Sequence, residues 1–202
     1  MRLYLSSFRL GDHPERLVAM VEPPGRTAVV CNAIDTEPAD VRAEMVAAEL
    51  GWLTELGLRP EELDLRTDDP ARLASYDAMW VRGGNVFVLR DALRRSGADQ
   101  VVVDLLGKDA LVYAGYSAGP CVLAPSLRGL EICDDVSLVA EPIWDGLGVL
   151  DHAIVPHLDS PGHPETELVE RVAALYETID VPYQPLSDGQ VLVIDGESRQ
   201  LV

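Results

Sequence analysis

The stretch Leu111-Val-Tyr-Ala-Gly-Tyr-Ser-Ala-Gly-Pro-Cys-Val-Leu123 constrains this chain more than any other. Leu111 to Ala114 is a short apolar run that reads as a buried strand. It turns through Gly115-Tyr116-Ser117-Ala118-Gly119 into an apolar, helix-compatible segment. Gly-x-Ser-x-Gly between a strand and a helix is the nucleophile-elbow pattern. The glycines remove Cβ atoms where the backbone folds back on itself. The serine projects from the turn, and the amides that open the helix are free to face negative charge. Pro120 falls in the first turn, where a missing N–H costs little. The same residues also suit an unreactive turn in which Ser117 only caps the helix, so the surrounding chain has to decide.

That chain alternates short apolar runs with helical patterns. Strands are expected at Arg2–Ser7, Thr27–Cys31, Glu61–Leu65, Ala78–Val81, Leu111–Ala114 and Leu150–Val155, with two short β segments at Gln190–Ile194 and Arg199–Val202. Between them, a short helix runs to about Met20. A second, opened by Asp35 and Thr36 as caps, carries Val41, Met45, Ala48 and Trp52 on its buried face, with its acidic residues in solvent. Pro70–Ser75 allows a short helix, and Val86, Leu89 and Leu93 mark another before Gly97. Val101–Leu106 forms a further one, and Pro164–Ile179 buries Leu168, Val172, Leu175 and Ile179. Residues 126–148 are rich in turn formers and accommodate a hairpin. The alternation predicts one domain over residues 1–202, a three-layer α/β/α sandwich with a mainly parallel sheet.

Composition narrows the partners. Against 34 Asp and Glu stand 16 Lys and Arg, a formal net charge of −18. A chain this acidic does not attract nucleic acid or an anionic membrane through a general field. No run approaches the roughly 20 apolar residues that span a bilayer, and Leu3–Leu5 is too short for the core of a signal peptide. Cys31, Cys121 and Cys133 have no metal-ligand or disulfide spacing and read as reduced thiols in a cytoplasmic protein.

In a parallel α/β sheet, sites gather at the C-terminal ends of the strands. Three features follow directly on predicted strands: Arg82-Gly83-Gly84-Asn85, Ser117 and His157. A serine needs a base, and the base needs an acceptor that fixes its tautomer. Of the four histidines, His13 opens a helix and His152 begins its strand at the wrong edge, whereas His163 lies in a loop where it could contact substrate. His157 is the candidate base. Asp188, in the turn before Gly189, is the first choice for the orienting acid, with Asp159 as the alternative. The paired glycines offer the second half of an oxyanion hole, or a plain turn with Asn85 as the helix cap. The order Ser117, His157, Asp188 departs from the Ser, acid, His order of α/β-hydrolases.

With these residues in place the sequence resembles the peptidase E family of serine peptidases, the alpha-aspartyl dipeptidases related to cyanophycinases. The likeness rests on Leu3-Tyr-Leu-Ser-Ser-Phe-Arg-Leu10, Gly83-Gly84-Asn85-Val86-Phe87, Gly115-Tyr116-Ser117-Ala118-Gly119, the His157 segment into Gly162-His163, and Asp188-Gly189. It implies a class I glutamine amidotransferase-like fold with serine where those enzymes carry cysteine. It further implies Ser117 as nucleophile, His157 as base, Asp188 as the third member, and the amides of Gly84 and Ala118 as oxyanion donors. Asn85, Arg82 and His163 become candidate substrate contacts. The implied activity is a serine exopeptidase on small peptides, with no metal or organic cofactor, as a monomer or homodimer. The family's substrate-binding arginine has no match here, because the corresponding segment reads Glu165-Thr166-Glu167-Leu168. Arg82 is a candidate replacement. Hydrolysis of another amide or ester, or silent binding on the same fold, are the competing expectations.

Overall fold

In the computed structural model, which describes residues 1–202, the central strands are apolar on both faces because helices cover both. The elements follow as β1 (Arg2–Ser6), α1 (Pro14–Val21), β2 (Arg26–Val30), α2 (Ala39–Glu55), β3 (Arg59–Glu62), β4 (Ala78–Val81), α3 (Val86–Ser96), α4 (Ala98–Gly107), β5 (Val112–Tyr116), α5 (Ala118–Cys121), β6 (Ala153–Val155), α6 (Thr166–Thr178), β7 (Tyr183–Pro185), β8 (Val191–Asp195) and β9 (Ser198–Leu201). Seven strands make one sheet in the order β3-β2-β4-β5-β1-β8-β9. The five from β3 to β1 are parallel, whereas β8 and β9 are antiparallel. Neighbouring residues of a strand point to opposite faces, which divides the core in two. Tyr4, Val29, Trp80 and Ala114 pack with Leu17 of α1 and Val46 and Leu53 of α2. Leu3, Leu5, Val30, Met79 and Tyr113 pack with Phe87, Val102 and Val172 of α3, α4 and α6. The three-layer α/β/α sandwich is the expected architecture.

Register brings the site together. Ser6 of β1 pairs with Tyr116 of β5, and Gly115 with Val81 of β4, so these three parallel strands end at one edge. The chain leaves that edge through Ser7, Arg82 and Ser117.

Several expectations are corrected. First, β6 is not part of the main sheet: it pairs in parallel with β7, a strand the sequence did not suggest, to form a separate two-stranded sheet. Second, residues 126–148 form no hairpin. Two short 3-10 turns and a single bridge between Ser126 and Asp145 occupy the segment. Third, the helix after the elbow stops after four residues. The carbonyls of Val122, Leu123 and Ala124, which would continue it, accept instead from the amides of Leu147, Leu150 and Gly148. Fourth, two helices are rotated from their expected faces. In α2 the buried residues are Arg42, Val46, Glu49 and Leu53, and in α6 they are Val169, Val172, Ala173 and Tyr176. Asp35 does not cap α2; it accepts from Asn32 and Arg42. The short strand near residue 61 lies earlier than expected, with Pro60 inside it. That is tolerated because β3 is a sheet edge.

Candidate active site

β5 delivers Ser117 to the sheet edge with φ 53° and ψ −112°, a backbone conformation that non-glycine residues rarely adopt. Its flanking glycines are fixed by a neighbour: a Cβ on Gly115 or Gly119 would sit 2.4 or 2.7 Å from the carbonyl oxygen of Val81. Ser117 occupies the N-cap position of α5, yet its hydroxyl caps nothing. Side-chain capping of α5 is therefore not the role of this serine.

The turn after β4 closes over the serine. A Cβ on Gly83 would lie 2.9 Å from the Ser117 Cβ, and one on Gly84, which has φ 142°, would lie 2.7 Å from the Ala33 carbonyl oxygen. The Gly84 N–H has no partner within the chain. Ala118 is the first residue of α5, where N–H groups lack an intrahelical acceptor. Asn85 is engaged elsewhere: its Oδ1 accepts from the amides of Phe87 and Val88 as the cap of α3, and its Nδ2 donates to the Asp135 carbonyl. Both ends of the amide serve the fold.

His157 follows β6 at φ 61° and is 2% exposed. Its Nδ1 lies 2.7 Å from Asp188 Oδ1, which fixes the tautomer that leaves Nε2 as acceptor. Asp159, the alternative, is exposed and makes no bond to the ring. A residue that the sequence reading missed holds both partners: Ser7 Oγ accepts from the His157 amide and donates to Asp188 Oδ1, each at 2.8 Å. Its signal, a hydroxyl directly after a parallel strand at the same rim, was present in the opening motif. Ser160 Oγ accepts from the Asp188 amide at 2.8 Å.

His163 stacks on His157, with centroids 3.7 Å apart and planes 3° from parallel, and Phe8 meets both rings edge-on. Burial lowers the His157 pKa below its ordinary 6.5, the Asp188 carboxylate opposes this, and the neighbouring His163 adds to the lowering. Both effects favour a neutral ring. The remaining histidines are placed apart: His13 pairs with Glu15 on the surface, and His152 bonds Asp151 and Arg199. Cys121, close to the elbow, is buried against the Ile154 carbonyl, and burial pushes its thiol far up, away from thiolate chemistry.

Ser117, His157, His163, Arg82, Gly83 and Gly84 line one pocket of about 210 Å³, completed by Phe8, Arg9, Trp52, Tyr116 and Glu165. Grooves of about 580 and 620 Å³ lie elsewhere but contain no serine–histidine pair. Arg82 lines the pocket with a guanidinium already committed inward: Nη1 donates to the Gly83 carbonyl and Nε lies 3.3 Å from Glu49 Oε1. Ligand atoms of His157, His163 and Glu165 fall within 4.8 Å of one another. Stacked imidazoles aim their in-plane lone pairs in parallel, however, so the group does not converge on an ion as a tetrahedral site requires. The arrangement instead places an oriented, neutral imidazole beside an unengaged hydroxyl and an amide without an acceptor.

Comparison with known proteins follows the same lines. Residues 38–202 match the model of peptidase family S51. A Streptomyces coelicolor protein named peptidase E is 36% identical over 155 residues, 75% of this chain and 62% of that one. The chain thus spans under two thirds of that relative's length. An uncharacterized peptidase of Listeria monocytogenes is 29% identical over 150 residues, covering 72% of this chain and 71% of that protein. A crystal structure of a protein provisionally assigned as peptidase E from L. monocytogenes EGD-e superposes with a TM-score of 0.82 at 24% identity, over 100% of this chain and 97% of that one. That likeness shows a shared fold, the class I glutamine amidotransferase-like arrangement. No helix is long and apolar enough to cross a membrane.

Proposed function

The chain belongs to peptidase family S51, and on that premise we propose that it is a serine exopeptidase acting on short peptides. The observation that carries the reading is the 2.7 Å pairing of His157 with Asp188 in the pocket that also holds the strained Ser117. Ser117 Oγ attacks the scissile carbonyl carbon and passes its proton to His157 Nε2. The Gly84 and Ala118 amides receive the charge that develops on the carbonyl oxygen. His157 then protonates the departing amine, and water releases the acyl group by the same steps in reverse roles. The amide and Nδ1 of His157 are bonded to Ser7 and Asp188; its contact with Ser117 is one that in such enzymes tightens when substrate binds.

The size of the pocket supports a short substrate, since about 210 Å³ is below the usual range for larger ligands. Arg9 and Glu165 give its wall both charges, which suits the two charged ends of a di- or tripeptide. The helix after His157 begins with Thr166, whose hydroxyl is tied to the Ser160 carbonyl at 2.7 Å, followed by exposed Glu167. With no arginine at that position, cleavage is not restricted to N-terminal aspartate. The test is a panel of di- and tripeptides varied at the first residue, hydrolysed by wild type and Ser117→Ala side by side. Loss of the nucleophile lowers kcat by several orders of magnitude, on the order of 10⁴ or more. Peptide hydrolysis that survives the substitution in clean preparations rejects the mechanism, and activity on esters alone rejects the substrate class.

A further inference from the structure

One buried carboxylate lies outside the proposed triad. Glu49 projects from α2 under the sheet edge, is 1% exposed and does not line the pocket. Two hydrogen bonds and one ion-pair contact, from the C-terminal ends of β4 and β5, meet it. Trp80 Nε1 donates to Oε2 at 2.7 Å, Tyr116 Oη donates to Oε1 at 2.7 Å, and Arg82 Nε lies 3.3 Å from Oε1. Tyr116 immediately precedes Ser117, and Arg82 immediately precedes Gly83-Gly84. A single side chain on α2 therefore grips both loops that form the proposed oxyanion hole.

The grip has a direction. Arg82 Nη1 donates to the Gly83 carbonyl oxygen at 2.6 Å. A trans peptide is planar, with its C=O and the following N–H pointing opposite ways. Holding the Gly83 oxygen toward Arg82 therefore turns the Gly84 N–H away from it, and that N–H is the one left without an acceptor in the chain. A partly buried guanidinium gains from a counter-charge, and a buried carboxylate needs donors; Arg82 and Glu49 lie at ion-pair distance from each other. We propose that Glu49 and Arg82 form a positioning pair that sets the Gly83–Gly84 peptide plane, so that the Gly84 amide is preorganised for the oxyanion. On this assignment Arg82 does not bind the substrate's side chain. The inference deepens the serine-peptidase reading and rests on it for the identity of the oxyanion.

An amide cannot replace the carboxylate. A glutamine at position 49 keeps the volume but turns an N–H₂ group toward either Trp80 Nε1–H or the Arg82 guanidinium, leaving donor facing donor. Glu49→Gln, Glu49→Ala and Arg82→Met are compared with wild type by labelling with a fluorophosphonate, whose phosphoryl oxygen occupies the oxyanion position, and by hydrolysis of the peptides that wild type cleaves. The expected result is a labelling rate lower by about 10- to 100-fold, short of the 10²–10³ for outright loss of a donor. kcat falls in parallel and KM stays within about threefold. Glu49→Gln combined with Arg82→Met costs little more than either change alone, because the two residues act as one unit. Arg82→Met that raises KM and spares kcat makes Arg82 a substrate ligand and overturns the proposal. So does Glu49→Ala that lowers the melting temperature while labelling, measured well below it, is unchanged. A crystal structure of Arg82→Met or Glu49→Gln decides independently of activity: a Gly83 carbonyl that keeps its wild-type orientation in both overturns the pair. If wild type itself neither labels nor cleaves peptides, the peptidase reading fails, and the crystallographic result still accepts or rejects the positioning pair.

Discussion

The two sides of the pocket are built on different principles. The serine side stands on the main sheet and is held by backbone. β4 and β5 run in register, and the glycines flanking Ser117 lie so close to the Val81 carbonyl that no side chain fits between. The histidine side stands on the separate two-stranded sheet of β6 and β7 and is held by side-chain hydroxyls. Ser7 and Asp188 reach the His157 loop from two distant parts of the chain, and Ser160 of that loop accepts from the Asp188 amide. A backbone-held turn is rigid because its atoms have no rotamers to change. A hydroxyl-held loop depends on several hydrogen bonds of about 1 kcal/mol each, and each can be removed singly.

The largest test of this contrast is Asp188→Asn. The amide still reaches His157 Nδ1 but can present N–H₂ to it, which favours the wrong tautomer, so kcat is expected to fall by about 10⁴ with the fold intact. The pH profile of the remaining activity sharpens the result. In wild type, the acidic limb of kcat/KM reports protonation of His157, and burial places it below an ordinary histidine's. Removing the Asp188 carboxylate removes the main group that opposes this lowering, so the limb moves further toward acid. A limb that moves toward neutrality contradicts the assignment of Asp188 as the partner of the ring.

The serine side is tested next by Gly119→Ala. Its new Cβ would sit 2.7 Å from the Val81 carbonyl oxygen, a backbone atom that cannot rotate aside. Overpacking of this kind costs about 1–3 kcal/mol in stability, and displacement of the turn lowers kcat as well. Urea unfolding together with the peptide assay measures both. On the histidine side, Ser7→Ala removes two hydrogen bonds without a clash. The expectation is a smaller loss, about 1–2 kcal/mol and roughly tenfold in kcat. If Ser7→Ala proves costlier in stability than Gly119→Ala, the division into a backbone-held and a hydroxyl-held side is wrong.

The same contrast explains what could be read from the sequence. Glycines forced by close backbone contact leave a local signature, and both the Ser117 elbow and the Gly83-Gly84 turn were legible. Parallel strands covered on both faces are apolar runs, and those of the main sheet were legible with them, apart from the edge strand β3 and its Pro60. Ser7 was not recognised: its place after a strand at the rim is a local signal, but the partners that give it a role lie 150 and 181 positions away. The buried face of α2 was misread for a related reason. It carries Arg42 and Glu49, whose partners lie on other elements, so the stripe with the larger apolar residues looked like the core side. α6 was misread more simply: Ile179 at its end is 52% exposed, whereas Tyr176 is buried with its hydroxyl on the Arg128 carbonyl. Asp188 could be selected by its place in a turn, but only the fold separates it from Asp159.

The smallest predicted effect lies where the two sides meet. The Asp134 carboxylate accepts from the Val86 amide at 2.8 Å, at the start of the helix that follows the Gly83-Gly84 turn. Its pKa is pushed up from 3.8 to about 7, chiefly by burial and secondarily by the charge of Glu165 on the histidine side, with the Val86 amide opposing both. A carboxyl with a raised folded-state pKa gives its full contribution to stability below the unfolded value near 4, and that contribution is lost as pH rises through about 7. His157 has the opposite sign, since its lowered pKa favours folding more as pH rises through the same range. The two trends offset each other in wild type. Asp134→Asn keeps an acceptor for Val86 and removes the charge, which leaves the histidine trend unopposed. The variant is expected to gain about 1–2 kcal/mol over wild type at pH 8 and to match or fall slightly below it at pH 5. Urea midpoints at the two pH values measure this directly. An equal shift at both would mean that the carboxyl does not titrate in the folded protein and that the seam between the two sides holds no stored charge.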